Sequence, residues 1–100
     1  MSMTLKSPAH PGELIREDIL PAHGHSIASA ARALGVTRAN LHRVLHAQAA
    51  LSPEMALKIE AAFGVNAELL LRMQAAYDLA DARTKAAEIT AGIERQPLAA

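Results

Sequence analysis

The side chains best suited to recognising another molecule lie in the stretch 38–46, RANLHRVLH. A helix over this stretch, with about 100° between successive residues, places Leu41, Val44 and Leu45 on one side. The remaining residues then lie on the opposite side or beside it. A polar face of this kind is suited to the DNA major groove, where base edges present hydrogen-bond donors and acceptors. The residues assigned to it are Arg38, Ala39, Asn40, His42, Arg43 and His46.

Each side chain of this face has a chemistry that suits a base pair or a phosphate. The Arg43 guanidinium points directly away from the apolar side and can donate to O6 and N7 of guanine. Arg38 can reach a base edge or a phosphate, and Asn40 can pair with adenine or bond a phosphate. Ala39 is small enough to approach a thymine methyl. The set indicates DNA binding, whereas any one of these residues alone is equally compatible with an ordinary solvated surface.

Two short helices, joined at Gly35-Val36, are predicted to carry this face. Ser26 and Thr37 each precede a helix-forming run, where a hydroxyl can accept a hydrogen bond from an unpaired backbone N–H. Helix N-termini also attract phosphate, so both residues are DNA-binding candidates, although capping alone would explain either one. Gly35 lies where the first of the two helices must end, a position that favours positive φ.

Further helices are predicted on both sides of this pair. A first helix opens at residues 10–13, His-Pro-Gly-Glu, and is expected to end at Pro21 and Gly24. A fourth opens at Ser52-Pro53-Glu54 and ends at Gly64.

Asn66 is predicted to cap a fifth helix. Its apolar residues recur at three- and four-residue spacing as far as Ala80, and the pattern could continue to Ile93. The fold class is therefore all-α, with five helices. We expect a flexible arm at 1–9, a helix-turn-helix domain at 10–80 and a helical or frayed tail at 81–100.

Charge is segregated along the chain, although ten basic and ten acidic residues give a net charge of zero. No acidic residue lies between Asp18 and Glu54, and this interval holds Arg32, Arg38, Arg43 and four of the five histidines. Segregation of this kind gives one face a positive field on a neutral molecule. A partner with negative charge is therefore expected on that face.

Composition argues against several other functions. There is no cysteine, and no basic segment followed by an apolar core at the N-terminus, so we expect a cytoplasmic protein. The apolar runs are far shorter than the ~20 residues that span a bilayer, so no membrane partner is expected. His42 and His46 have a spacing that zinc can use, but no third ligand is evident, so we expect no metal and no other cofactor. Without a Gly-rich phosphate loop, or an acid beside a nucleophile, we expect no enzyme and no catalytic residue.

The pattern Ser-x4-Ala-x2-Leu-Gly-Val-x-Arg, which begins at Ser26, resembles the helix-turn-helix of the lambda-repressor-like (Cro/C1, XRE) family. The resemblance continues in the opening HPGELIREDILPAHG, in SPEMALKIEAAFGVNAELLL, and in Gln74 followed by Tyr77-Asp78-Leu79. Together these stretches are similar to the HigA-type (VapI) antitoxins, over roughly His10 to Leu79. Two positions differ from that family, which usually has Gln at Ile27 and Asn-Gly at His46-Ala47. The differences affect particular phosphate contacts and not the fold.

The resemblance implies the antitoxin of a type II toxin–antitoxin pair. Such a protein would neutralise a RelE-like (HigB-type) ribonuclease toxin by direct contact and would repress its own operon. Two alternatives stay open: a stand-alone transcriptional repressor without a toxin, and a helical protein-interaction module without a DNA role. The acids outside the basic interval, among them Glu13, Glu17 and Asp18, suit a basic toxin.

A symmetric homodimer bound to a palindromic double-stranded operator is also expected. The apolar residues of helix five surround more of that helix than one core face requires, although an over-apolar core helix would look similar. The predicted dimer interface consists of Leu69, Leu70, Met73 and Tyr77.

Overall fold

The first helix, α1, ends between Pro21 and the left-handed Gly24, as the sequence predicts, although Pro21 itself is still helical. The structure is a computed structural model and describes residues 8–99. Helix α1 begins as an α-helical turn over Pro11–Leu14, continues as a π-helical segment over Ile15–Ile19 and closes in the turn Leu20–Ala22. Pro21 therefore lies inside the last turn. A proline ring clashes with the carbonyl four residues back in a regular α-helix, and the wider π-helical turn before it relieves that clash.

Polar side chains begin the next four helices, as the sequence predicts. In each case the side-chain oxygen accepts a hydrogen bond from the backbone N–H three residues on, at 2.9–3.1 Å. A cap of this kind stabilises a helix by about 1 kcal/mol. The capping residues are Ser26 for α2 (Ile27–Leu34), Thr37 for α3 (Arg38–Leu45), Ser52 for α4 (Pro53–Phe63) and Asn66 for α5 (Ala67–Arg83).

The C-terminal end of α5 differs from the expectation. The helix ends at Arg83, and a short helix α6 (Ala86–Ile89) follows, so residues 8–99 hold six helices and no strand. Every residue from 81 to 99 is exposed. Because no core packing supports a long helix there, the apolar spacing towards Ile93 produces only the short α6. The predicted arm at 1–9 falls outside the described residues except for Pro8 and Ala9.

One apolar core joins the first five helices and positions α3. Its largest fully buried side chains are Ile15, Leu41, Leu45, Ile59 and Leu70, one or two from each of four helices. Helix α2 adds Ala30, Ala31 and Leu34, which pack in the same cluster. Within residues 8–99, no helix is both long enough and apolar enough to cross a membrane.

Candidate DNA-binding surface

Helix α3 has one buried side and one exposed side, as its sequence predicts. Leu41, Val44 and Leu45 are buried in the core. The residues assigned to DNA contact are all exposed, and they are Arg38, Ala39, Asn40, His42, Arg43 and His46. The Thr37 cap and the left-handed Gly35 (φ 68°) together fix where α3 begins relative to α2. A rigid two-helix unit therefore presents this side outward.

The two arginines of α3 keep their full hydrogen-bonding capacity. Residues 8–99 contain three ion pairs, and neither Arg38 nor Arg43 is part of any of them. Together with Ala39 and His42, the two arginines line an open depression on the outer side of α3. A guanidinium without an internal partner is available to bind the acceptors of guanine or of phosphate.

The two capping hydroxyls are used in part by the fold. The Ser26 hydroxyl accepts from the Ser29 N–H at 3.1 Å, and the Ser29 hydroxyl accepts from the Ser26 N–H at 2.9 Å, which is a reciprocal capping box. The Thr37 hydroxyl accepts from the Asn40 N–H at 3.1 Å. Both residues are exposed at helix N-termini, where the remaining free amides can bind phosphate.

His42 and His46 form a stacked pair at the C-terminal end of α3. Their ring centroids are 4.0 Å apart with an interplanar angle of 22°. His46 Nδ1 lies 2.9 Å from the His42 carbonyl and donates to it, which leaves only Nε2 of His46 for an outside partner. In the part of the chain that the structure describes, no group of three or more potential ligands could hold a metal ion.

The end of α3 carries the strained residue of this surface. Ala47 N–H donates to the Val44 carbonyl and Gln48 N–H to the Arg43 carbonyl, at 3.2 and 2.8 Å, which is the Schellman pattern. The pattern places Ala47 at φ 57°, the one positive φ of a non-glycine residue between residues 8 and 99. The left-handed conformation costs an L-residue about 1–2 kcal/mol. Alanine at this position, where the HigA-type antitoxins usually have glycine, therefore adds backbone strain at Ala47 but leaves the end of α3 intact.

Behind α3 lies a partly buried cluster that sequence reasoning missed, which we call the His10 clasp: His10, Gly12, Ala49 and Tyr77. His10 is 5% exposed and lies edge-on to the Tyr77 ring at a centroid distance of 5.0 Å. Gly12 N–H donates to His10 Nδ1 at 2.9 Å, and His10 Nε2 donates to the Ala49 carbonyl at 3.1 Å. His10 and Gly12 of the HPGE opening, a stretch that carries part of the resemblance to the antitoxins, thus have an internal role.

Gln74 also has an internal role. Its Oε1 accepts from the buried Leu51 N–H at 2.8 Å, and its Nε2 donates to Asp78 at 2.9 Å. This buried amide joins α5 to the segment that precedes α4. The four-residue spacing of Gln74 and Asp78 on one helix is the sequence signal for the bond between their side chains. The bond to Leu51 has no such signal.

Comparison with known proteins decides the family. A family model described as helix-turn-helix matches residues 15–70. The chain is 40% identical over 85 residues to virulence-associated protein A' of Dichelobacter nodosus, an alignment that covers 84% of this chain and 73% of that protein. The chain belongs to the helix-turn-helix family.

Solved structures of this helix-turn-helix family include close structural neighbours. Antitoxin GraA superposes with a TM-score of 0.83 at 34% identity, covering 91% of this chain and 99% of that one. Pseudomonas aeruginosa antitoxin HigA, solved with the higBA promoter, has a TM-score of 0.77 at 32% identity, covering 92% of this chain and 99% of that one. These similarities confirm the resemblance to the HigA-type antitoxins and the all-α fold.

The predicted dimer-interface residues of this helix-turn-helix protein lie in different environments. Leu70 is 0% exposed and belongs to the core, so its assignment to an interface is wrong. Tyr77 is half-buried against His10. Leu69 is 48% exposed and Met73 is half-buried, so these two residues can still reach a partner.

Proposed function

We propose that the chain is a DNA-binding antitoxin that represses its own operon, with α3 entering the major groove. The observation that carries this proposal is the outward side of α3, where Arg38 and Arg43 are exposed and have no ion-pair partner among residues 8–99. No acidic residue lies between Asp18 and Glu54 to weaken the positive field of these arginines. The similarity to Pseudomonas aeruginosa HigA, which was solved with promoter DNA, supports the same class of partner.

Each residue of the surface has a role in this proposal. Arg43 binds a guanine through its O6 and N7, and Asn40 bonds an adenine or a neighbouring phosphate. Ala39 lies against a thymine methyl, while Arg38 spans base edge and phosphate. The N-termini of α2 and α3, at Ser26 and Thr37, bind phosphates through their free amides. His42 and His46 contact the duplex at the other end of α3.

A gel shift on the DNA upstream of the chain's own reading frame tests the DNA role. The wild-type protein should bind that duplex in preference to a scrambled duplex of equal length. The affinity should fall steeply as salt rises, because phosphate contacts release counterions. Equal binding to both duplexes at all salt concentrations would leave the interaction-module alternative in place.

The interface of the proposed homodimer lies on one exposed side of α5. Leu69 and Met73 are followed on the same side of the helix by Ala76 and Ala80, whose small side chains let a second helix approach closely. A two-fold axis at this side of α5 would present two α3 helices to half-sites about 34–36 Å apart.

Substitutions at neighbouring leucines separate this dimer surface from the core. Leu69→Glu should weaken both dimerisation and operator binding while the domain stays folded, because Leu69 is 48% exposed. Leu70→Glu should unfold the domain, because it brings a charge into the core. Sedimentation of the wild-type protein as a monomer at micromolar concentration would contradict the dimer.

The proposed toxin is a basic, RelE-like ribonuclease that binds away from α3. Glu13, Glu17 and Asp18 are all exposed on α1. Counting pairs among residues 8–99, Glu17 alone of the three has an ion pair, with Arg16 at 3.1 Å. A surface pair of this kind contributes little to stability, so a basic partner can replace it. Surfaces of opposite sign allow DNA and toxin to bind at the same time.

Co-expression tests the toxin. A small basic protein encoded beside this chain should arrest growth alone, and this chain should relieve the arrest and co-purify with it. Glu17→Lys/Asp18→Lys should abolish the relief, whereas Arg38→Ala/Arg43→Ala should retain it. If relief requires the two arginines and not the acids, the chain acts only as a repressor.

A stand-alone repressor is the second candidate, and the His10 clasp favours it. His10 and Gln74 lie in the stretches that carry the resemblance to the antitoxins, and both are buried and hydrogen-bonded inside the domain. A repressor without a toxin would need them equally. The growth experiment separates the two candidates.

A further inference from the structure

We infer that His10 is a positioning residue for the DNA-binding surface, one that holds the segment 47–51 after α3 in place. The segment is Ala-Gln-Ala-Ala-Leu, and it connects the C-terminal end of α3 to the Ser52 cap of α4. The inference about this segment stands on contacts within the domain. Its consequence for DNA rests on the proposed function.

The segment 47–51 makes few hydrogen bonds, although the Leu51 side chain is buried in the core and Ala49 packs against it. Gln48 N–H is tied to α3 at one end, and Leu51 N–H to Gln74 at the other. Between these two amides, and among residues 8–99, the one hydrogen bond from the segment to the rest of the domain is the Ala49 carbonyl on His10 Nε2, at 3.1 Å. Alanine side chains form no hydrogen bonds, so this contact is the polar support of the middle of the segment, beside the apolar packing of Ala49.

Strain at one end of the segment increases that dependence. Ala47 adopts φ 57°, which an alanine adopts only when surrounding contacts hold it there. Releasing the Ala49 carbonyl removes one of those contacts. The segment can then move to a negative φ at Ala47, which shifts the last turn of α3 and His46 with it.

The imidazole can hold the segment because its own position is fixed from several sides. The Gly12 N–H occupies Nδ1, which requires the proton to be on Nε2, where it points at Ala49. The Tyr77 ring of α5 packs edge-on against the imidazole. A Cβ on Gly12 would overlap the Val44 carbonyl and lie 2.9 Å from Leu45 Cα, so α1 touches the α3 backbone directly.

Protonation of His10 would break this arrangement, because a second ring proton cannot coexist with the Gly12 N–H at Nδ1. Burial lowers the pKa of His10 below 6.5, although the Ala49 carbonyl and the charge of Asp78 both act to raise it. Folding therefore favours the neutral ring. The contribution of the neutral His10 ring to stability is complete above about pH 6.5. It is lost as the pH falls below that value, through the lower pKa of His10 in the folded state.

The other charged groups near His10 do not replace its contacts. Glu13, Arg16 and His46 line an open cavity, and His10 is also part of its wall. Asp78 accepts a hydrogen bond from the Gln74 amide. Glu13 and His46 are exposed, and Arg16 is half-buried. None of these three donates to the Ala49 carbonyl. The pH effect on segment 47–51 is therefore assigned to His10.

Amide hydrogen exchange tests the inference without DNA. In His10→Ala, the amides of Gln48 and Leu51 should lose at least tenfold more protection than the amide of Ala30, which is bonded to the Ser26 carbonyl in α2. His10→Gln should restore protection, because its amide can accept from Gly12 and donate to Ala49. Equal loss at all three amides would mean that His10 supports only global stability, and would overturn the inference.

The same exchange measurement has a pH arm. After correction for intrinsic exchange, protection of Gln48 and Leu51 in the wild-type protein should fall between pH 7.5 and 5.5. In His10→Gln it should stay constant. A parallel fall in both proteins would assign the effect to other groups and would contradict the role of His10.

Binding to the chain's own upstream duplex then tests the consequence for DNA. At pH 7.5 and fixed salt, His10→Ala should bind at least tenfold more weakly than the wild type, and His10→Gln should bind within about threefold of it. Unchanged affinity in His10→Ala would overturn the positioning role. If no variant and no wild-type protein binds any DNA, the proposed function fails, while the exchange result still decides the role within the domain.

Discussion

The two sides of α3 use polar groups in opposite ways. On the inward side, the clasp uses both nitrogens of His10, and residues 8–99 contain no buried side-chain nitrogen or oxygen without a partner. On the outward side, Arg38 and Arg43 have no ion-pair partner within the described part of the chain. Polar groups whose hydrogen bonds are made within the domain stabilise the fold. Exposed groups that still have free donors are available to bind a partner. The comparison predicts which substitutions change stability and which change binding.

Gly12→Ala should have the largest effect, on the inward side. Its Cβ would overlap the Val44 carbonyl, and backbone cannot move aside as a flexible side chain can. We expect a loss of at least about 3 kcal/mol in the free energy of unfolding, the upper end for overpacking by one methyl group. Urea denaturation measures it. Glu13→Ala, at the next and exposed position, is the control, and equal small losses in both would show that the close approach is unimportant.

Gln74→Leu should cost about 2 kcal/mol of unfolding free energy. The leucine leaves the Leu51 N–H buried without an acceptor, and an unsatisfied group of this kind costs about 1–3 kcal/mol. Asp78→Ala removes only the exposed partner of the same amide and should cost less than about 1 kcal/mol. Thermal unfolding of both variants compares them. A larger loss for Asp78→Ala would reverse the assigned roles.

Ala47→Gly should have the smallest effect, and it should be stabilising. Glycine adopts φ 57° without the steric cost that alanine bears, and the gain should be about 1 kcal/mol after its larger unfolded-state entropy is counted. Ala50→Gly, whose φ is not positive, should be neutral or destabilising. Chemical denaturation distinguishes the two. A loss of stability in Ala47→Gly would mean that the residue is unstrained.

Periodicity and capping predicted the outward side of α3 from the sequence, because both are local properties. Leu41, Val44 and Leu45 repeat on one face of a single helix, and Thr37 acts on the residue three positions ahead. The clasp joins residues 39 positions apart, and the Gln74 bond joins residues 23 apart. No local pattern encodes such distances.

The dimer and tail predictions show the same limit. Leu69 and Leu70 are alike in the sequence, yet only their angle on the folded α5 separates an exposed side chain from a core side chain. The apolar spacing beyond Arg83 likewise predicted more helix than forms, because spacing alone does not reveal whether a core lies beside it.

Sequence-specific DNA binding by α3 is the central claim, and the affinity of Arg43→Ala for the chain's own upstream duplex tests it most directly. The matched control is Arg83→Ala, which removes the same charge from the exposed last turn of α5. Arg43→Ala should weaken binding by about 1–3 kcal/mol and relax base preference at one position in each half-site, with unfolding free energy unchanged. Arg83→Ala should bind as the wild type does. Equal affinities of Arg43→Ala and the wild type would contradict the assignment of this face to DNA.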